Sequence, residues 1–331
     1  MKETITSVAR FLLENDNFVI GIHTNADGDC FGSACGLGAA LLKLGKKCLI
    51  LSPATIPERL KFLNYSGITV LEGKEDYETI AGLKKTYFTV DVASDHLLSD
   101  LGEVFQANNC FAIDHHTNNT VTAKRLFLDS CASAAGEIVY SIICELEEWT
   151  NEKIFDENVA GSVLGAISSD TGCFKYSNVT AETHRIAAKL IEEGAAASDI
   201  NYRLFDLKSS RQIACEGYAY SNIKLFENGK ISFIYISNDA LESLGASTSD
   251  TETISQIGRS IEGVQIAIFM RDKAENEYKI SVRSNNDADM SLLCADFGGG
   301  GHKKAAGCSI TSASAKEAMN LFIEKAKEYI E

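Results

Sequence analysis

The amino-acid sequence predicts an α/β protein, in which an N-terminal domain with a mostly parallel sheet flanked by helices precedes a smaller C-terminal α+β domain. The first half of the chain alternates short apolar runs with longer helical patterns, an alternation typical of βαβ units. Two hairpin patterns, over residues 220–237 and 264–284, replace this alternation later in the chain. We therefore place the first domain at residues 1–195, a linker at 196–215 and the second domain at 216–331.

Short apolar runs predict the strands of the first domain, and acidic or histidine residues stand near the ends of several of them. The predicted strands cover residues 18–23, 47–52, 86–92 and 110–116. The predicted helices cover residues 32–45, 133–149, 157–172 and 181–194. Residues 196–215 show no long apolar period, so we interpret them as a connector.

Turn residues and amphipathic runs predict the second domain. Asn228 and Gly229 form the turn of the first hairpin, a pair that favours tight two-residue connections. Two helices are predicted over residues 250–261 and 314–330, with a glycine-rich loop at 298–301 between them. We interpret His302 and the two lysines after it as the start of a helix, where free N–H groups favour an anion.

Composition and charge limit the functions of the chain. Its 331 residues carry a net charge of −15, which argues against a protein that coats long nucleic acid. The sequence has no membrane-length apolar run and no signal-peptide pattern, which predicts a cytoplasmic protein without a membrane partner. Its ten cysteines are scattered without a CxxC pair, which indicates reduced thiols rather than a disulfide framework or a zinc site.

Carboxylates and imidazoles recur where predicted strands end, which is where open α/β sheets bind ligands. These residues are His23, Asp27, Asp29, Asp91, Asp114, His115 and His116, and Asp170 ends a helix-like run. Oxygen and imidazole donors without thiolates suit Mn²⁺ or a similar ion. Two ions sharing a bridging carboxylate would use so many ligands, and such a centre activates water for phosphoester hydrolysis. Each motif alone fits a turn or a cap, but their joint occurrence favours a metal centre.

A second candidate site lies in the glycine-rich stretch "GGGGHKKAAG", residues 298–307. Glycines allow the backbone to approach a ligand closely or to turn with positive φ. A flexible linker is the alternative, but the histidine and small residues that follow favour a fixed loop. Upstream, Arg283 ends a predicted strand and could bind a phosphate or a carboxylate. A simple surface arginine is an equal alternative for that residue.

Taken in order, these motifs resemble those of the DHH family of phosphoesterases over nearly the whole chain. "HTNADGDCFGS", "DVAS", "DHH" and "SDTGCFKYS" are similar to the first four motifs of the family. "FGGGGHKKAAG" is similar to the closing motif of the DHH-associated C-terminal domain. Ala26 stands where the family commonly has proline, a change that removes a rigid φ but no ligand.

The resemblance implies a Mn²⁺-dependent hydrolase with its active site in the cleft between the two domains. It implies a first ion bound by His23, Asp27 and Asp91, and a second bound by Asp29, Asp91, His115 and Asp170. It further implies that Asp114 orients a ligand, that His116 faces the scissile phosphate and that Ser33 supports the first-motif loop. The implied substrate-binding residues of the second domain are Arg283, His302, Gly299, Gly300, Gly301 and Arg259.

Within the family, the compact two-domain form resembles the nanoRNase or oligoribonuclease group, which also dephosphorylates 3′-phosphoadenosine 5′-phosphate (pAp). We therefore expect hydrolysis of short RNAs and linear dinucleotides to mononucleotides, and of pAp to AMP, with no long duplex as partner. A dedicated pAp phosphatase and a soluble cyclic-dinucleotide phosphodiesterase are the enzymatic alternatives. The intact ligand set argues against an inactive nucleotide-binding regulator. The sequence leaves open whether Mg²⁺ or Co²⁺ replaces Mn²⁺, the cleavage polarity, RNA against DNA, and whether the chain forms a homodimer.

Overall fold

The computed structural model describes residues 3–108 and 110–331. The chain forms two compact units, the first ending at Leu207 and the second beginning at Lys208. This division falls inside the segment 196–215 that the sequence predicts as a connector. Most of that segment is helical, with an α-helix at Ala197–Asn201, a π-helical turn at Tyr202–Asp206 and a further α-helix from Ser210.

The first unit is built on a six-stranded sheet in which every neighbouring pair is parallel. Its strands are β1 (Phe18–Gly21), β2 (Cys48–Ser52), β3 (Val70–Glu72), β4 (Thr86–Val90), β5 (Phe111–Asp114) and β6 (Arg125–Leu128). Their order in the sheet is β3-β2-β1-β4-β5-β6. The prediction of a mostly parallel sheet is confirmed, although the sequence did not predict the short edge strands β3 and β6.

Eight α-helices accompany this sheet in the described part of the first unit. They are α1 (Ile5–Glu14), α2 (Gly28–Lys43), α3 (Gly73–Glu78), α4 (Gly102–Ala107), α5 (Ala135–Thr150), α6 (Glu157–Asp170), α7 (Ala181–Glu192) and α8 (Ala197–Asn201). Helix α2 begins at Gly28 rather than at residue 32, because the Asp27 carboxylate accepts a hydrogen bond of 3.0 Å from the Cys30 amide. This is an N-cap, which satisfies an otherwise unpaired N–H of the first turn.

Helix α2 forms the centre of the first unit and packs closely against α6. Its residues from Gly28 to Leu41 are all buried. Two glycines permit the close approach: a Cβ at Gly32 would lie 2.8 Å from the Ser162 carbonyl oxygen, and one at Gly36 would lie 2.6 Å from Val163 Cγ2. Since cores are packed without spare volume, this contact fixes the N-terminal turn of α2.

The second unit is a six-stranded mixed sheet with helices. Its strands are β7 (Lys224–Phe226), β8 (Ile231–Ile236), β9 (Ile266–Ala274), β10 (Glu277–Ser284), β11 (Gly300–His302) and β12 (Ala305–Thr311), in the order β11-β12-β10-β9-β8-β7. Its helices are α9 (Ser210–Ser221), α10 (Asn238–Ser243), α11 (Ile254–Arg259), α12 (Met290–Ala295) and α13 (Ala315–Ala326). Both predicted hairpins are confirmed as antiparallel pairs, β7 with β8 and β9 with β10.

The expectation of a helix starting at His302 is wrong. Gly300–His302 is strand β11, and it pairs antiparallel with β12 directly after a two-residue turn. The small residues of "AAGCSI" alternate between buried and half-buried positions, which is the period of a strand. Gly301 has a φ of +147°, and a Cβ there would lie 2.6 Å from the Ala305 carbonyl oxygen. The glycines therefore serve close strand pairing, and no helix N-terminus is available here for an anion.

Two further findings bear on the class of the protein. Throughout residues 3–108 and 110–331, each helix is too short or too polar to cross a lipid bilayer. All ten cysteines have free thiols, six of them buried.

Candidate metal centre

Three adjacent strands carry candidate ligands to one edge of the first sheet. His23 follows β1, Asp91 follows β4 directly, and Asp114 ends β5 before His115 and His116. Because β1, β4 and β5 are parallel neighbours, their carboxyl ends meet. Asp91 lies between two imidazoles: its Oδ2 is 3.9 Å from His23 Nε2, and its Oδ1 is 3.5 Å from His115 Nε2.

The N-terminal turn of α2 and the last residue of α6 complete the cluster. Asp27 Oδ1 lies 3.9 Å from His23 Nε2. Asp29 Oδ2 and Asp170 Oδ2 each lie 3.7 Å from His115 Nε2. The structure thus brings together all six residues that the resemblance implies as metal ligands, although they come from five separate segments of the chain.

Asp29 is held by the start of α5, a contact that sequence reasoning missed. The amides of Ala135 and Gly136 donate to its two carboxylate oxygens at 2.7 and 3.0 Å. Ser33 Oγ adds a hydrogen bond of 3.1 Å to Asp29 Oδ1, consistent with a supporting role for Ser33. Backbone amides at a helix N-terminus favour a carboxylate whatever their side chains are, so no residue pattern marks this contact.

Asp91 is a strained and crowded carboxylate. It is 2 % exposed, its φ is +59°, and no hydrogen-bond donor reaches its Oδ1 within the described part of the chain. Burial raises the pKa of Asp91 well above its usual range, and the charge of Asp29 adds to this. Burial likewise raises the pKa of Asp29, with a further contribution from Asp170. Carboxylates this close are costly unless a positive charge compensates them.

The donor atoms fit a divalent cation. His115 directs Nδ1 toward the Ala132 carbonyl oxygen at 3.3 Å, so Nε2 is the nitrogen that faces the carboxylates, an arrangement typical of metal-binding histidines. Burial lowers the pKa of His23 and thus favours the neutral imidazole that a metal requires. The unpartnered Asp91 Oδ1 is buried and is an oxygen donor of the kind that Mn²⁺ and Mg²⁺ prefer.

Cys30 also lies within this cluster, although the sequence gave no reason to select it. Its sulfur lies within 4.8 Å of possible donor atoms of His23 and Asp91. The thiol donates to the Val90 carbonyl oxygen at 3.5 Å and accepts from the His23 amide at 3.4 Å. Burial raises the pKa of Cys30 well above its ordinary value. It therefore remains a protonated thiol that packs beneath the site.

Asp114 faces His116 rather than the carboxylate cluster. It is fully buried, and its Oδ1 accepts a hydrogen bond of 2.8 Å from His116 Nδ1. Asn119, which sequence reasoning missed, donates through Nδ2 to Asp114 Oδ2 and to the Val92 carbonyl oxygen. Burial favours a higher pKa for Asp114, but the hydrogen bonds from His116 and Asn119 outweigh it and lower that pKa. The hydrogen bond to Asp114 raises the pKa of His116.

We expect Asn119→Ala to lower kcat about 10- to 100-fold, the usual effect of losing a partner that orients a functional side chain. Without Asn119, Asp114 is held less firmly, so the pKa of His116 should fall toward its ordinary value. The pH–rate profile would then move to lower pH on the limb that reports His116. Asn118→Ala is the matched control, since Asn118 is adjacent and exposed. Equal kcat and pH profiles for both variants would contradict this role.

The candidate substrate residues lie on the second unit. Arg283 of β10 pairs in register with Ala305 of β12, and β12 in turn pairs with β11 of the glycine motif. A Cβ at Gly299 would lie 2.2 Å from the Gly307 carbonyl oxygen, whereas one at Gly300 would meet open space. The side chain of His302 lies outside the described part of the structure.

Arg259 and the first lysines after the glycine motif have partners of their own. Arg259 Nε donates to Asn285 Oδ1 at 3.0 Å, and Asn285 Nδ2 donates back to the Arg259 carbonyl oxygen at 2.9 Å. This exchange ties Arg259 to the end of β10, close in sequence to Arg283. Lys304 hydrogen-bonds to the Asn286 carbonyl oxygen and lies 3.3 Å from Asp287.

A parallel sheet with carboxylates and imidazoles gathered at its carboxyl edge defines the class of protein: this is a phosphoesterase of the metal-dependent kind. The family models agree. Residues 17–167 match the DHH family, N-terminal domain, and residues 229–331 match the DHHA1 domain. The chain belongs to the DHH family.

Named relatives and a solved structure extend the comparison over the full chain. It is 28 % identical over 309 residues to the bifunctional oligoribonuclease and PAP phosphatase NrnA of Bacillus subtilis, covering 93 % of each chain. The protein of that name from Thermus thermophilus is 29 % identical over 314 residues, covering 93 % of this chain and 89 % of the other. An exopolyphosphatase-related protein from Bacteroides fragilis shares the fold, with a TM-score of 0.89 at 24 % identity, covering 98 % of this chain and 96 % of the other.

Proposed function

We propose that the protein hydrolyses very short oligoribonucleotides, linear dinucleotides included, to mononucleotides, and that it converts pAp to AMP. The observation that carries this proposal is the match to two oligoribonuclease and PAP phosphatase relatives over 93 % of the chain. The six-residue cluster in the first unit is consistent with hydrolysis. The net charge of −15 suits a short substrate, since binding needs no extended basic track.

We further propose that the centre holds two Mn²⁺ ions. The first would be held by His23, Asp27 and Asp91, and the second by Asp29, Asp91, His115 and Asp170. The position of Asp91, within 3.9 Å of both His23 and His115, supports its role as the shared ligand. Bound ions would lower the pKa of a coordinated water and stabilise charge on the phosphoryl group. Mg²⁺ or Co²⁺ could use the same donors.

In this proposal the protein supplies binding and proton control through His116. Its Nδ1 is engaged by Asp114, so Nε2 is the nitrogen left for a phosphoryl oxygen. The raised pKa of His116, caused by that hydrogen bond, favours the protonated imidazole. A charged donor binds an anionic oxygen more strongly than a neutral one. About a third of the His116 side chain is exposed, which leaves it accessible to a substrate.

For the second unit we propose substrate binding by Arg283 and the glycine motif. Arg283 would bind a phosphate other than the scissile one, because a guanidinium can form two parallel hydrogen bonds to phosphate. The loop Gly299, Gly300 and Gly301 would allow close approach of the ligand, since a side chain is missing there. His302 and Arg259 complete the proposed set.

The test is product release from 5′-labelled RNAs of two to eight nucleotides, alongside pAp and cyclic di-AMP, in Mn²⁺ and in EDTA. We expect Mn²⁺-dependent release of mononucleotides, fastest from the shortest RNAs, together with AMP from pAp. Activity on pAp alone, or on cyclic di-AMP alone, would overturn the RNA assignment while retaining the phosphoesterase centre. Equal activity in EDTA would overturn the metal assignment.

A further inference from the structure

One face of the second sheet carries cations that lack carboxylate partners. Along β10 the residues alternate, and Lys279, Ser281 and Arg283 share the face opposite the buried core of the hairpin. The strand register places Lys279 directly opposite Arg271 of β9 and, on its other side, opposite Ser309 of β12. Two like charges are therefore cross-strand neighbours, with Arg283 further along the same face.

Such a pair is destabilising unless something compensates it. In the part of the chain that the structure describes, no carboxylate forms a salt bridge with Lys279 or Arg271. Arg271 Nη1 donates to the Asp272 carbonyl oxygen at 3.2 Å, a neutral acceptor. By contrast, Lys273 on the same hairpin pairs with Glu277 at 2.5 Å. In a chain with 46 acidic and 31 basic residues, two adjacent cations without acidic partners indicate an anion from outside the chain.

The surface beside these cations has room for such an anion. Lys279 and Arg271 are both half-buried. Lys279 Nζ lies 3.8 Å from the position that a Cβ on Gly307 would occupy, and Gly307 is the cross-strand partner of Ser281. Gly300 pairs with Gly307 on the other side, and a Cβ on Gly300 would meet nothing within 4 Å. Two facing glycines thus leave a shallow depression next to the Lys279 ammonium group.

We propose that Lys279 and Arg271 form a second phosphate subsite, distinct from the one assigned to Arg283, and that it binds an additional backbone phosphate of an RNA substrate. This inference rests on the proposed function. The Cα atoms of Lys279 and Arg283 are four strand residues apart, about 13 Å at the usual rise, so the two cations can serve separate phosphates.

The number of phosphates in each substrate determines which of them can use this subsite. A molecule of pAp has two phosphates, the scissile one and the one assigned to Arg283. A 5′-phosphorylated dinucleotide also has two. A 5′-phosphorylated trinucleotide is the smallest RNA with a third phosphate, and it is therefore the smallest substrate that would engage Lys279.

The experiment compares the KM of the full-length wild type and Lys279→Met for pAp and for the 5′-phosphorylated tri- and tetranucleotide. We expect KM for the longer RNAs to rise about tenfold, the value of one charge-assisted hydrogen bond, and KM for pAp to change far less. The salt dependence of trinucleotide binding, measured by fluorescence anisotropy in EDTA, should lose about 0.7 of slope per phosphate contact. Lys279→Arg should restore both quantities, and Lys273→Met is the matched control on the same hairpin.

Several outcomes would overturn the subsite. An unchanged KM and salt slope in Lys279→Met would do so, and an equal rise in KM for pAp would place Lys279 in the Arg283 subsite. Loss of folding is controlled by the melting temperature, which should not fall because the variant removes a like-charge contact. If the wild type hydrolyses neither RNA nor pAp, the proposed function fails. The anisotropy measurement then tests the subsite separately, since weaker trinucleotide binding by Lys279→Met would retain it and equal binding would reject it.

Discussion

Replacing Asp91 with asparagine is expected to reduce kcat for every substrate by more than the roughly 100-fold that loss of an outer partner causes. Asp91 belongs to two of the three groups of potential ligands in the described chain, one with His23 and one with His115 and His116. Its loss would therefore affect both proposed ions, whereas loss of Asp27 or Asp170 would affect one. Asparagine is the suitable replacement because, like aspartate, it tolerates the positive φ of +59° at this position.

The measurement is steady-state hydrolysis of pAp and of a dinucleotide in Mn²⁺, with bound manganese determined on the same samples. Asp100→Asn is the control, since Asp100 is an exposed aspartate outside the cluster. We expect Asp91→Asn to bind less manganese and Asp100→Asn to match the wild type. Wild-type turnover by Asp91→Asn with a full complement of manganese would refute a shared ligand.

The ligand cluster could be predicted from sequence because parallel strands place their carboxyl ends at one edge. Once "FVIGIH", "TYFTVDV" and "CFAIDHH" are recognised as neighbouring strands, the residues that end them must lie near each other. The alternation of apolar runs was enough for β1, β4 and β5. Strands β3 and β6, with three and four residues and no fully buried position, carry too little apolar pattern to be recognised.

The contacts that orient the ligands were beyond prediction for a different reason. The amides of Ala135 and Gly136 bind Asp29 through the backbone, and any residue other than proline supplies the same group. Asn119 binds Asp114 across a turn whose shape the sequence does not specify. The glycine motif was assigned to a helix because glycine and alanine lack the size contrast that distinguishes a strand period from a helical one. The pairing of Gly301 with Ala306 decides the matter through tertiary contact.

Removing the metal is expected to make the wild type less stable than Asp91→Asn at neutral pH, and adding Mn²⁺ is expected to reverse that order. In the metal-free protein Asp91 is buried among other carboxylates, and its pKa is raised above that of the unfolded chain. The folded state then binds more protons than the unfolded state, so stability is highest below the unfolded pKa, about 3.9, and falls as the pH rises through the folded value. Asparagine carries no charge to repel.

The measurement is the melting temperature of both proteins between pH 5 and 8, in EDTA and in Mn²⁺. In EDTA we expect the advantage of Asp91→Asn to grow with rising pH. The lowered pKa of His23 has the opposite effect, since its stabilisation is lost as the pH falls through the unfolded value near 6.5. His23 is present in both proteins, so the difference between them reports mainly on Asp91. In Mn²⁺ the wild type should gain about 2.7 kcal/mol at a free concentration of 100 times Kd, and the variant much less. A wild type that is more stable than Asp91→Asn in EDTA at pH 8 would show that the protein itself compensates the Asp91 charge, and the argument for bound cations would lose its physical basis.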